Sequence, residues 1–139
     1  MSHEKRTAPE GLGKDGMALA GVLLTSGVMH FVRPDTFQTM VPNSIPARRL
    51  LVYISGGAEI ACGLGLLHSA TRRAAGFASA ALLVAVLPAN VTTAGQAKAR
   101  LDSDPHSTQK RGYLAAAVVR LPLQWPMIRI ALRTAGVLR

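Results

Sequence analysis

Four stretches of this chain are too apolar, and too sparsely charged, for an ordinary water-facing surface. Gly16 to Val32 carries no formal charge, and Leu50 to Leu67 is interrupted only by Glu59. Ala74 to Ala97 is the third run and Gly112 to Leu132 the fourth. The first three are roughly 17 to 25 residues long, enough to cross the hydrocarbon of a bilayer as helix. The fourth contains Arg120, Pro122, Pro126 and Arg129, which a helix inside a bundle carries when they face inward. The expected fold is all-α, a four-transmembrane-helix bundle over residues 16–132, with spans at 16–32, 50–67, 74–97 and 112–132. An even number of crossings puts both termini on one side. A flexible polar tail (1–15) precedes the bundle and a basic end (133–139) follows it.

Composition agrees with lipid as the solvent. With 139 residues the chain is one domain. Hydrophobic residues make up 49% of it but aromatics only 4%, whereas a soluble core draws much of its buried area from aromatic rings. Ala, Leu, Val and Gly dominate instead, as in helices packed closely in a membrane. The formal net charge of +9 does not point to nucleic acid. The Lys and Arg residues punctuate the ends of apolar runs rather than forming a face, as cations anchored at lipid headgroups do. Cys62 is the single cysteine, which leaves no intrachain disulfide, CxxC pair or cysteine metal site. None of the four His residues has a close metal-ligand partner in sequence, and no HExxH, phosphate loop or GxSxG occurs.

The connections differ in kind. Arg33 to Arg49 alternates Pro34, Pro42 and Pro46 with Phe37, Met40, Val41 and Ile45, a segment able to lie in the interface and fold over the bundle mouth. His68 to Arg73 reads as a tight turn between antiparallel helices, and Lys98 to Arg111 as an exposed loop. A cleaved leader competes for the first run, but Ser26-Gly27-Val28-Met29-His30 offers no small-x-small cleavage site and three more runs follow. Lys and Arg number eight on the terminal face and seven on the other, so the positive-inside rule barely discriminates. Cytoplasmic termini are the working expectation.

Each span carries polar residues: His30, Glu59, Asn90, and the pair Arg120 and Gln124. Measured from the face bearing the 33–49 and 98–111 connections, His30 lies about 3 Å deep, Asn90 about 10 Å, Arg120 about 12 Å and Glu59 about 14 Å. Gln124 sits one turn below Arg120 on the same side of its helix. A lone charge in hydrocarbon is costly, and Glu59 and Arg120 at similar depth relieve that cost by pairing. Pro88 removes a hydrogen bond to Val84 and should kink the third span just before Asn90. Pro122 and Pro126 do the same around Gln124. Gly56, Gly57, Gly63 and Gly65 thin the second span for close packing, and Cys62 reads as a small buried apolar residue. The five polar residues either lock the helices together or form a ligand or proton site.

The sequence resembles the DoxX family of small four-helix membrane proteins. The carrying segments are His30-Phe31 with Arg33-Pro34, Val41-Pro42, Ile45-Pro46, and Leu51-Val52-Tyr53-Ile54-Ser55-Gly56 leading into Glu59-Ile60. Gly63-Leu64-Gly65-Leu66-Leu67 with Thr71-Arg72-Arg73, Pro88-Ala89-Asn90-Val91 and Arg120-Leu121-Pro122-Leu123-Gln124 complete them. Their order and spacing, over residues 16–130, carry the likeness rather than any one motif. The resemblance implies four transmembrane helices in a bacterial plasma membrane. The family takes its name from a subunit of a thiosulfate:quinone oxidoreductase, and some members are associated with redox or thiol-stress systems. No cysteine pair and no haem or flavin ligands are evident here.

The expected function is a redox-associated subunit that binds a quinone, or another small lipophilic molecule, at His30, Glu59, Asn90, Arg120 and Gln124. The alternatives are a non-enzymatic accessory protein stabilising a membrane or redox partner, and a proton or solute path through Glu59. Whether the chain is itself an enzyme is left open by the sequence.

Overall fold

The computed structural model describes residues 11–139; residues 1–10, most of the expected tail, lie outside them. The described residues form helices α1 (Lys14–Val32), α2 (Pro34–Gln38), α3 (Arg48–Leu67), α4 (Arg72–Ala85), α5 (Leu87–Asp102) and α6 (Thr108–Thr134), with no strand among them. Three stretches are long and apolar enough to cross a membrane: α1, α3, and the nearly continuous Arg72–Asp102. About a third or less of each is buried, 33%, 33% and 28%, so most of their apolar surface faces outward. Ile54, Val32 and Leu50 are about 58%, 62% and 57% exposed, a pattern that calls for an apolar surround. α6 is long enough, but its prolines and arginines keep it outside that group by composition. It packs along α4 and α5 and returns to touch α1.

Local chemistry explains the boundaries. α1 stops at Arg33 because Pro34 disfavours a helical residue before it and instead starts α2 at its first position. The chain re-enters helix at α3 through Ala47, in the left-handed region at φ 55°. At the other end of α3, Thr71 Oγ1 donates to Gly65 O at 2.9 Å and Arg72 Nε to Leu66 O at 3.0 Å, satisfying carbonyls the helix end leaves open. α6 ends in a Schellman turn: Gly136 takes φ 77°, its N–H donates to Arg133 O, and Val137 N–H donates to Leu132 O, both at 2.9 Å.

One boundary differs from that expected, and one break falls where a kink is expected. Helix continues well into 98–111, leaving only 103–107 as a loop. Lys98 and Asp102 form an i,i+4 pair at 2.8 Å that extends α5, and the Ser107 hydroxyl caps α6 by accepting from Lys110 N–H. The third stretch is broken at Val86, two residues before Pro88, as an interior proline requires.

The core is built from Leu19, Leu23, Leu66 and Leu83 with small residues between them: Ala20, Cys62, Ala75, Ala80 and Ala131. Glycines bring the backbones together. A Cβ at Gly27 would stand 2.7 Å from Gly56 O, and one at Gly76 2.7 Å from both Ala131 O and Ala135 N. Gly57 by contrast has open space around it, so it plays no part in the packing expected of it. Ser79 is fully buried, and its hydroxyl has no hydrogen-bond partner among the described residues. Ser79→Ala should therefore raise the melting temperature in detergent, by about 1 kcal/mol of recovered desolvation; a fall in melting temperature would show that the hydroxyl is bonded.

Candidate functional site

The site starts where α1 and α3 touch. Because neither Gly27 nor Gly56 carries a side chain, the two backbones close up, and a Cβ at Gly56 would lie 2.6 Å from His30 Cβ. His30 is thereby pressed against α3, one turn from Glu59. Its Nδ1 lies 2.7 Å from Ser26 O, in the preceding turn. A carbonyl only accepts, so Nδ1 carries the proton, and in the neutral ring Nε2 is the basic nitrogen. The imidazole stacks on Phe37 with ring centroids 3.8 Å apart, which places the α2 segment over the site.

Glu59 and His30 are each 8% exposed. Glu59 Oε2 is 3.6 Å from His30 Nδ1, within ion-pair range but beyond a hydrogen bond, and that buried oxygen has no hydrogen-bond partner among the described residues. The Ser26 hydroxyl acts on the carboxyl as a hydrogen-bond donor, and the charge of Arg120 acts on it at longer range. The partner of Glu59 is therefore His30, where depth alone pairs it with Arg120; no Glu59–Arg120 ion pair forms within 4 Å among the described residues. Helical side chains lean toward their own N-terminus. α1 and α3 are antiparallel, so His30 leans away from the loops and Glu59 leans back toward them, and they meet. Arg120, on α6, also leans toward the loops, and it is exposed.

The opposite wall is held by amides. Asn90 Nδ2 donates to Gln124 Oε1 at 3.0 Å, and Gln124 Nε2 donates in turn to the main-chain oxygen of Leu83. Leu83 lies in the last turn of α4, where the break at Val86 leaves carbonyls without their helical partners. Gln124 is 2% exposed and ties α4, α5 and α6 together.

Between these walls lies a cavity of about 400 Å³, and His30, Glu59, Asn90, Arg120 and Gln124 all line it. Leu23, Val52, Leu83 and Met127 supply apolar wall, while Phe37, Met40 and Val41 of the proline-rich connection cover it. Ser26 and Ser55, which the sequence does not single out, line the same cavity. Each stands four residues before a named polar residue, on the same helix face, and that spacing is the available signal. The arrangement offers a carboxylate acceptor, a guanidinium donor and an imidazole around an apolar space. Among the described residues no group of three His, Cys, Asp or Glu side chains stands together to hold a metal ion.

Residues 19–135 match the family described as Domain of unknown function (DUF8561). Comparisons with curated proteins and with solved structures give no match.

Proposed function

The chain belongs to that family of unknown function, and we propose that within it this protein is a membrane-embedded binding protein for a quinone-like molecule. In this reading α6 is the fourth span, both termini share one face of a bacterial plasma membrane, and the protein serves a membrane redox system, as the likeness to DoxX proteins implies. The observation that carries the proposal is Glu59 Oε2, a buried carboxylate oxygen with no hydrogen-bond partner among the described residues, on a residue that lines an apolar cavity beside Arg120. A buried polar atom left unbonded costs about 1–3 kcal/mol, which a ligand hydroxyl would recover. Arg120 has no ion pair among the described residues, and its guanidinium suits an acceptor oxygen on the same ligand. The quinol form meets both demands, with one ring hydroxyl donating to Glu59 and the oxygen at the opposite end accepting from Arg120. The volume falls within the range of small-molecule sites, in which apolar walls are punctuated by a few polar groups. His30 Nε2 and Glu59 are groups able to hold or release a proton at the ligand's oxygens.

The test is extraction in mild detergent, followed by mass spectrometry of everything that remains bound. A quinone at about one per chain after extensive washing is the expected result. Lipids alone, in the proportions of the bulk membrane, would overturn the reading. A stoichiometric protein partner without a small molecule would favour an accessory role instead.

A further inference from the structure

The cavity is not sealed from the side. A groove of about 910 Å³ runs between α1 and α6 and shares Val22, Ser26, Phe37, Met40 and Arg120 with the cavity. Its floor on α1 is Ala18, Gly21, Thr25 and Met29, spaced three or four residues apart on one helix face, and Tyr113 stands across it on α6. At the far end a separate, smaller pocket of about 310 Å³ lies between the start of α1 and the end of α6, lined by Gly16, Ile130 and Thr134 among others. The groove that joins the cavity is the one toward the loops. Ala18, Gly21 and Thr25 are exposed, on a helix long and apolar enough to lie in a membrane. A Cβ built at Gly21 meets nothing within 4 Å.

We infer that this groove holds the hydrocarbon tail of the molecule whose polar head occupies the cavity, and that the molecule passes in sideways from the bilayer between α1 and α6. Three observations fix the occupant. The groove is continuous with a space whose wall includes a buried carboxylate oxygen of Glu59 with no hydrogen-bond partner among the described residues, so the head and tail sites join. Arg120 borders both spaces, placing a cation where head meets tail. Ala18, Gly21 and Thr25 on the floor are small, leaving a channel along α1 where larger side chains would fill it. An isoprenoid or acyl chain, flexible and uncharged, fits such a channel and stays in contact with lipid along its length. The inference rests on the proposed binding function and adds the route and the tail.

The probes are a tailless dimethoxy-methyl-benzoquinone and its decyl-tailed homologue, each kept in its quinol form, added to purified protein and read by equilibrium dialysis in detergent; a ten-carbon fatty acid serves as a tail without the ring. The unaltered protein should bind the tailed quinone at least about tenfold more tightly than the tailless one. Gly21→Phe, or Thr25→Phe as a second plug in the same channel, should erase most of that advantage while leaving tailless binding unchanged. Gly57→Phe, outward on α3, should change neither. Equal affinity for both quinones, or plugs without effect on the tailed one, would overturn the groove and leave the cavity reading standing. Binding of the fatty acid as tightly as the tailed quinone would keep the groove and remove the quinone. Failure of the unaltered protein to bind any probe would remove both.

Discussion

A Gly76→Leu chain should lose the α4–α6 seam, whereas Gly57→Leu should fold as the unaltered chain does. Both replacements put the same side chain on a glycine inside a helix, so helix propensity is matched. Their surroundings differ. At Gly76 the first added carbon would stand 2.7 Å from Ala131 O and 2.7 Å from Ala135 N. Both are main-chain atoms of α6 or its cap, so no rotamer change relieves the clash and the helices must part. Overpacking ordinarily costs about 1–3 kcal/mol, and a rigid backbone contact puts this change at or beyond the upper end. Parting the helices also strains the Gln124 bond to Leu83 O. At Gly57 a Cβ meets nothing. Thermal unfolding in detergent, monitored by size-exclusion elution, should show a large loss for Gly76→Leu and a small one for Gly57→Leu. Equal behaviour would mean that α4 and α6 do not pack at Gly76.

Replacing Glu59 by Gln should separate binding from folding. Were the carboxylate a structural tie, its loss would destabilise the protein by about 3–5 kcal/mol, as breaking a satisfied buried pair does. Oε2, however, has no hydrogen-bond partner among the described residues and reaches His30 only at 3.6 Å. Removing an incompletely paired charge from an apolar setting relieves a desolvation cost. The amide nearly preserves the volume. Glu59→Gln should therefore melt no lower than the unaltered protein while retention of the bound molecule falls at least about tenfold, roughly 1.4 kcal/mol. Added stability with lost binding is the usual mark of a residue kept for function. A destabilised Glu59→Gln that still holds its ligand would make the cluster a tie between helices.

Counting along the chain gives depth, because a helix rises a fixed distance per residue. Depth sets His30, Glu59, Asn90, Arg120 and Gln124 beneath one loop on sequence positions alone, and all five line one cavity. Counting gives neither the rotation of a helix nor the lean of its side chains. Depth therefore matches Glu59 with Arg120, whereas opposing leans bring it to His30. The glycines show the same limit: Gly56 makes a close contact and its neighbour Gly57 none, a difference of one residue and about 100° of rotation. α6 is the hardest helix to read. Its arginines and prolines obscure a membrane-length helix, and only its packing on α4 and α5 locates it.

The break at Val86 has a consequence for how sequences of this kind can drift. Side-chain polarity is lost with a single codon, but the oxygen that Gln124 binds belongs to the peptide backbone of Leu83. No replacement at position 83 short of displacing the chain can delete it. The acceptor is inherited with the bend, and the bend with Pro88. What selection must then preserve is only a donor at position 124 and an imino acid shortly after the break, while the aliphatic residues between are free to exchange among themselves.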